Sequence, residues 1–356
     1  MSDTTVVAPG PMPLGRREFL SLSKDAGQPE TEFWIRVHRP AMACRFEVTF
    51  PGSDGRHIPA AREALDGVDA VEAALSLFRE QSDVNQVNRS AGDGPALLSP
   101  HLLALLLKSQ ALHRATERAF DITSTPLSRT WGFLRREGRL PTLAEIEDAR
   151  SVVGMDKLIL DEVTKTVRFG RPGVELNFNA IGKGYALDQV AAGLRRRGVR
   201  HALLSAGGSS VLAVGGGREG FTVDVRSARV PRPLARLRLR NAALGTSGAG
   251  EQFFEIGERR FGHLLDPRTG WPAQGLVSVS VVADEAATAD ALATAFFVGG
   301  MNLAERYCAD HPRTLALLTE EGAPGALRVI GDHDGARWDS GRPAAGPGGE
   351  MKGVEA

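Results

Sequence analysis

The residues best suited to chemistry lie in an alanine-rich segment towards the C-terminal end. Asp290 and Thr294 stand four residues apart within Thr288-Ala289-Asp290-Ala291-Leu292-Ala293-Thr294-Ala295. On a helix this spacing puts both side-chain oxygens on one face, and the alanines predict that the helix is buried, where a carboxylate needs a partner. A carboxylate, a hydroxyl and a nearby backbone carbonyl are oxygen ligands that suit magnesium. Taken alone, such a pair more often belongs to a surface or a helix cap.

A second candidate segment is rich in glycine and enters a predicted helix from a strand. It reads Asn179-Ala180-Ile181-Gly182-Lys183-Gly184-Tyr185-Ala186-Leu187-Asp188. Glycines at a helix start let backbone amides approach an anion, and the helix dipole favours a phosphate there. Lys183 would add a positive charge. The segment is not a P-loop, because Gly184 stands where Ser or Thr would hold magnesium. Close helix–sheet packing explains the glycines equally well.

Three further segments contain polar residues at predicted turns. His263 and Asp266 lie in His263-Leu264-Leu265-Asp266-Pro267-Arg268-Thr269-Gly270, which is typical of a β-turn; a lone His near an Asp is more often structural than catalytic. Ala206-Gly207-Gly208-Ser209-Ser210 follows a predicted strand, and its double glycine permits either a tight turn or close ligand approach. Asp121, after Ala119-Phe120, has a carboxylate that can accept hydrogen bonds from a base or a ribose.

The elements around these segments predict an α+β fold, with a mixed central sheet and flanking helices. Apolar spacing and capping residues predict helices over 59–79, from Ser99-Pro100, from Thr142 with Glu145 as a capping box, over 180–197, from Thr288 to 298, and again within 302–318. Strands are predicted over 33–50, 152–169 (two strands), 174–178 and 201–205, with further pieces between 211 and 282 and before 318. The segment Phe78–Asn88 is predicted to be a polar loop.

Composition limits the classes of protein. The 356 residues contain 43 Lys+Arg and 43 Asp+Glu, so the basic excess usual for a nucleic-acid binder is missing. No apolar run reaches ~18 residues, which predicts that no segment spans a membrane. Two cysteines, Cys44 and Cys308, give neither a disulfide framework nor a cysteine-based zinc site.

The chain is predicted to contain one domain, over residues 33–325. A flexible leader precedes it over 1–32, and a Gly/Pro-rich tail follows over 326–356. The leader contains Gly15-Arg16-Arg17-Glu18-Phe19-Leu20, similar to a twin-arginine export motif. A polar stretch follows instead of an apolar one. The prediction is therefore a cytoplasmic protein, with export or peripheral membrane association as the alternative.

Taken in order along residues 35–320, these segments resemble the ApbE-type family of FAD:protein FMN transferases. The most specific pieces are His263-x-x-Asp266-Pro-Arg-Thr-Gly and Asp290-Ala-Leu-Ala-Thr294-Ala. The resemblance implies an α+β, T-fold-type architecture that uses FAD as substrate and a magnesium ion. It also implies transfer of FMN from FAD to a Thr or Ser hydroxyl of an acceptor flavoprotein, with release of AMP.

The resemblance also assigns residues. The metal ligands would be the carboxylate of Asp290, the hydroxyl of Thr294 and the carbonyl of Ala180. His263 would lie beside the reacting phosphate, and either His263 or Asp266 would take the hydroxyl proton, with His263 favoured. FAD contacts would come from Met42, Phe78, Ala119, Phe120, Asp121, Lys183 and Leu265. Asn177, where the family often has Asp, would hydrogen-bond an adenine or ribose with one charge fewer.

Two alternative functions use the same residues. Water in place of a protein hydroxyl would make the protein an FAD pyrophosphatase that gives FMN and AMP. A site weakened at Asn177 would leave a non-enzymatic flavin-binding protein. A nicotinamide-dependent oxidoreductase is disfavoured, because no Gly-x-Gly-x-x-Gly follows a strand.

Overall fold

The computed structural model describes residues 20–22, 33–227, 230–250, 252–257 and 259–339. The helices in these ranges are α1 Ile58–Asp66, α2 Val68–Leu75, α3 Asp83–Ser90, α4 Pro100–Ala115, α5 Thr125–Thr130, α6 Leu143–Ser151, α7 Gly182–Arg196 and α8 Ala286–Asp310. The first strands are β1 Leu20–Leu22, β2 Trp34–Ala41, β3 Cys44–Pro51, β4 Ala96–Leu97, β5 Leu158–Asp161, β6 Thr166–Phe169, β7 Ala202–Ala206 and β8 Ser210–Val214. The later strands are β9 Phe221–Ser227, β10 Val230–Leu239, β11 Ala243–Gly248, β12 Phe253–Ile256, β13 Arg259–Gly262, β14 Leu276–Ala283, β15 Thr314–Glu320, β16 Arg328–Asp332 and β17 Ala336–Asp339.

An eight-stranded sheet forms the centre, in the order β16-β15-β14-β11-β8-β7-β3-β2. This confirms the α+β class with a central sheet and flanking helices. Every neighbouring pair in that sheet is antiparallel rather than mixed, because its strands are joined by hairpins and by returns that reverse direction. A four-stranded sheet, β1-β9-β10-β17, lies against it, and two small sheets join β12 to β13 and β4-β6-β5.

The two faces of the central sheet bury different partners. One face packs against α1, α2, α7 and α8 in the largest apolar core. The other packs against the four-stranded sheet, through Leu203 and Val211 on one side and Val223 and Leu237 on the other. Helix α8 lies directly on β11 and β14. The alanines between Ala286 and Ala295 are buried, as the alanine run predicts, so the position of Asp290 on the core face is fixed by packing.

Several predicted elements are confirmed and others are wrong. The capping box of Thr142 and Glu145 starts α6, and Ser99 caps α4. The predicted helix over 59–79 is two helices that meet at Gly67. Residues 174–178 form no strand, and the predicted polar loop contains α3 over Asp83–Ser90, capped by Ser82.

The predicted tail is also wrong at its start. Strands β16 and β17 lie inside the predicted range 326–356, where β16 pairs with β15 and β17 pairs with β10. Short strands with glycine between them carry little periodicity, which explains why the sequence pattern missed them. Residues 340–356 are outside the described part of the chain.

Of the predicted leader, the structure describes Leu20–Leu22, which pair with β9. The twin-arginine-like motif, apart from Leu20, lies outside the described residues. Among the described helices, none has both the length and the apolar character that crossing a membrane requires.

Candidate active site

A cavity of about 540 Å³ opens between the helical face of the central sheet and a group of loops. One side, here called the charged wall, is formed by Ala180, Lys183, Ser209, Asp290 and Thr294. A second set of lining residues, here called the aromatic wall, consists of Phe133, Phe253, Phe254 and Leu265. His263 also lines the cavity, together with Gln252 and Leu264. Segments far apart in the sequence therefore meet around one space.

Asp290 supplies the carboxylate of the charged wall and is buried, at 8% exposure. Its oxygens accept hydrogen bonds from Ser210 Oγ at 2.8 and 3.0 Å and from the Gly184 amide at 2.8 Å. Burial raises the pKa of Asp290 to about 7, while the charge of Lys183 and these hydrogen bonds oppose that rise. A further positive charge in the cavity would favour the ionised carboxylate.

Helices α7 and α8 are held close together at this point. A Cβ at Gly184 on α7 would lie 2.1 Å from the carbonyl oxygen of Ala286 on α8. On the sheet side of α8, a Cβ at Gly245 of β11 would lie 2.6 Å from the α8 backbone. The close-packing explanation therefore holds for Gly184, whose amide also donates to Asp290. Glycine thus serves here both for packing and for access to a backbone amide.

Asp188 on α7 joins the same two helices. Its carboxylate accepts hydrogen bonds from the amides of Ala286 and Ala287, both at 2.9 Å, and so caps α8 from another helix. The predicted cap, Thr288, is wrong because the helix begins two residues earlier. Burial raises the pKa of Asp188 to about 6, against the two amide hydrogen bonds.

Lys183 and Thr294 are restrained by serines. The Lys183 ammonium donates a hydrogen bond to Ser209 Oγ, and Thr294 Oγ1 lies 3.1 Å from Ser247 Oγ. Ala180 lines the cavity just before α7 begins. The three residues predicted as metal ligands, together with Lys183, therefore share one wall.

His263 has a defined tautomer. Its Nδ1 lies 3.1 Å from the backbone oxygen of Gln252, and because a carbonyl only accepts, Nδ1 carries the proton. In the neutral ring Nε2 is then the basic nitrogen. Asp266, the alternative base, does not line the cavity. Its carboxylate is bonded to the Arg268 guanidinium and backbone, which fixes the turn.

Phe133, Phe254 and Leu265 of the aromatic wall belong to a separate apolar cluster. Phe133 and Phe254 have ring centroids 5.5 Å apart, and Trp131 lies behind them, 5.6 Å from Phe261. The Trp131 indole donates to the Gly270 carbonyl at 2.8 Å, which ties the cluster to the turn that follows His263. This wall offers flat apolar surfaces that suit a planar ring system.

The predicted flavin contacts divide into those that reach the cavity and those that do not. Ala119, Phe120, Asp121, Asn177, Lys183 and Leu265 line it. Met42 and Phe78 do not: the Phe78 side chain is 80% exposed on a loop, and Met42 packs beneath Gly182 at the start of α7.

Two of the lining residues already have partners. The Asp121 carboxylate accepts from Thr123 and lies 3.5 Å from His113, and burial raises its pKa. Its carboxylate is therefore turned into the protein. Asn177 Oδ1 accepts from the Asn179 amide at 2.8 Å, which shapes the loop before α7.

Sequence reasoning missed four polar residues of this region. Ser210 and Asp188 contact residues of the charged wall and of α8, and Gln252 and Arg136 line the cavity. The quoted runs contained the first two, but their partners lie 80 and 98 residues away.

Comparisons with known proteins place this geometry in context. The ApbE family pattern matches residues 42–318. Proteins named FAD:protein FMN transferase are similar: one from Haemophilus influenzae is 29% identical over 79% of this chain and 85% of its own length. One from Klebsiella pneumoniae is 31% identical over 67% and 74%.

Solved structures agree with the fold. The ApbE protein of Thermotoga maritima has a TM-score of 0.75 at 26% identity, over 84% of this chain and 97% of that one. The flavinyl transferase ApbE of Pseudomonas stutzeri, in its apo form, has a TM-score of 0.74 at 25% identity, over 84% and 95%.

Proposed function

The chain belongs to the ApbE family, and we propose that it catalyses magnesium-dependent transfer of FMN from FAD to a Thr or Ser hydroxyl of an acceptor protein, with release of AMP. Transfer of FMN from FAD to protein is the activity for which its curated relatives are named, and this chain is an enzyme of that kind. The observation that supports the finer proposal is a single cavity shared by Lys183, Asp290, Thr294 and His263.

The donor set fits magnesium. Asp290, Thr294 and the Ala180 carbonyl all supply oxygen, which hard divalent cations prefer. Within the described ranges, no three His, Cys, Asp or Glu side chains gather. A site with one carboxylate suits an ion that also binds substrate phosphates and water. When bound, magnesium would stabilise the charge that develops on the phosphates.

The chain's own residues supply the remaining functions. Lys183 projects a positive charge into the cavity from the first turn of α7, where the helix dipole also favours an anion. The aromatic wall provides apolar surface for a ring of the dinucleotide. Gly184 and Ser210 hold the Asp290 carboxylate in one orientation. Substrate is thereby oriented before the reaction, with little rearrangement of the protein.

The proposed transfer forms one bond and breaks one bond. The acceptor hydroxyl oxygen attacks the FMN phosphorus, and the bond from that phosphorus to the oxygen of the AMP phosphate breaks. The hydroxyl proton passes to His263 Nε2, the basic nitrogen of the ring. AMP leaves with the bridging oxygen. The nucleophile belongs to the acceptor, so the chain needs no nucleophile of its own.

The test combines the purified protein, FAD and MgCl₂ with total protein from the source cell. We expect tandem mass spectrometry to find FMN on a Thr or Ser, with equimolar AMP, and EDTA to abolish both products. AMP and free FMN without any protein adduct would favour the pyrophosphatase instead. Intact FAD with no product under any condition would reject both reactions. The cytoplasmic location stays a prediction, to be checked by fractionation of the source cell.

A further inference from the structure

The hairpin between β7 and β8 places two consecutive serines beside Lys183 and Asp290 of the charged wall. Gly207 and Gly208 take positive φ values of 59° and 70°, so the chain reverses within a short loop. The turn explanation for the double glycine is therefore confirmed. The residues that follow, Ser209 and Ser210, are 4% and 1% exposed. Two buried hydroxyls at the end of a tight turn require partners.

Each serine has a different partner in the cavity. Ser209 Oγ accepts a hydrogen bond from the Lys183 ammonium, and Ser210 Oγ donates to both oxygens of Asp290 at 2.8 and 3.0 Å. Lys183 and Asp290 therefore contact two consecutive residues at the start of β8. Their relative position is fixed through a single piece of backbone.

That piece of backbone is itself rigid. The Ser209 carbonyl accepts from the Thr246 amide at 2.8 Å, and Ser210 pairs with Gly245 across β8 and β11. Gly245 in turn allows α8 to approach β11 at Asp290. The serines therefore connect the central sheet, α7 and α8 at one place, and a shift of the hairpin would move both charged groups.

We propose that Ser209 and Ser210 are positioning residues of this site: Ser209 orients the Lys183 ammonium towards the substrate phosphates, and Ser210 orients the Asp290 carboxylate towards the divalent cation. This inference rests on the proposed function. Neither serine transfers a proton or forms a bond with substrate. Each acts through the charged group that it contacts.

Two measurements distinguish the role of Ser209 from that of Ser210. Mn²⁺ binding, followed by electron paramagnetic resonance in the presence of FAD, reports on Asp290. Turnover of FAD at saturating Mn²⁺ reports on Lys183. Loss of one hydrogen bond to a charged group corresponds to about a tenfold change in a binding or rate constant.

We expect Ser210→Ala to weaken Mn²⁺ binding about tenfold, with turnover recovering to within about threefold of wild type at saturating Mn²⁺. We expect Ser209→Ala to leave Mn²⁺ binding unchanged and to lower kcat/KM for FAD about tenfold. Ser209→Thr keeps the hydroxyl and should restore kcat/KM. Ser205→Ala, in the adjacent strand β7 and away from Lys183 and Asp290, is the matched control for packing in the hairpin.

Other outcomes overturn the inference. An active wild-type enzyme whose two alanine variants match it in both measurements, or lose both in parallel, would show that the serines only support the fold. If Ser210→Ala does not fold, the Ser209 variants decide alone, because their expected pattern is independent of cation binding. A wild-type protein that neither binds Mn²⁺ nor consumes FAD would overturn the proposed function together with the inference.

Discussion

The charged wall and the aromatic wall line the same cavity but are built differently. Lys183, Ser210 and Asp290 lie on regular helices and strands that pack on the central sheet. Phe133, Phe254 and Leu265 come from a short helical turn, the β12–β13 hairpin and a connecting turn. The first wall is held by hydrogen bonds to charged groups, the second by contacts between rings.

The two parts of the site therefore depend on the fold in different ways. A carboxylate and an ammonium must be placed within a fraction of an ångström, which regular elements provide. An apolar surface tolerates more variation, because dispersion contacts are individually weak and non-directional. We therefore expect substitutions in the charged wall to affect turnover without unfolding the protein. Substitutions in the aromatic wall should affect substrate binding and stability together.

The largest effect should follow Asp290→Ala. Losing the carboxylate removes several kcal/mol of cation-dependent stabilisation, so turnover of FAD with magnesium should fall about 10³-fold or more. The fold should be retained but the melting temperature should fall by several degrees, because the Ser210 hydroxyl and the Gly184 amide lose their buried acceptor. Steady-state kinetics and differential scanning fluorimetry give the two values. Asp310→Ala, exposed on the same helix, is the control, and a fully active Asp290→Ala enzyme would contradict the metal assignment.

The next effect concerns His263, which lines the same cavity. His263→Gln removes the basic nitrogen, so we expect kcat for transfer to acceptor protein to fall about 10²-fold, with the KM for FAD little changed. Asp266→Asn should lose little activity, since its carboxylate only fixes the turn with Arg268. If instead Asp266→Asn is inactive and His263→Gln active, the roles are reversed.

A change in the aromatic wall should give a different signature. Phe254 is 6% exposed and contacts Phe133 and Phe261, so Phe254→Ala should lower the free energy of unfolding by about 3 kcal/mol. The KM for FAD should rise several-fold, while Mn²⁺ affinity below the unfolding transition stays the same. Urea titration and kinetics test this. Phe78→Ala, at an 80% exposed ring, should leave stability unchanged. A loss of Mn²⁺ binding in Phe254→Ala would show that the walls are coupled.

The smallest effect concerns the cap that joins α7 to α8. The pKa of Asp188 is raised to about 6 from an ordinary 3.8 by burial. The stability it contributes is therefore greatest below pH 3.8 and is lost as pH rises through 6. Asp188→Asn does not titrate, so the melting temperature of wild type minus that of the variant should decrease between pH 4 and pH 7. A difference that is constant over this range would contradict the assignment.

Much of the fold follows from residue spacing. The alanine run correctly predicted a buried helix at α8, and Thr142 with Glu145 correctly predicted the start of α6. Residue spacing did not predict short elements with weak periodicity, such as α3 and β16. Their residues are too few for an apolar pattern to rise above composition, and tertiary contacts decide their state.

The candidate site divides in the same manner. Ten of the predicted site residues line the cavity, and most of them were assigned by the resemblance rather than by their own local pattern. Phe78 and Met42, FAD contacts on the same resemblance, do not line this cavity. A resemblance transfers residue types, whereas the direction of a side chain depends on the neighbouring backbone.

Residues close together in the chain were enough to identify the family, the alanine-rich helix and the order of the polar segments. The hydrogen bond of Ser210 to Asp290, the capping of α8 by Asp188 and the inward orientation of the Asp121 carboxylate depend on the fold. The first two of these contacts join residues 80 and 98 positions apart. Strand register and the close approach of two helices at Gly184 set them, and neither is encoded in local spacing.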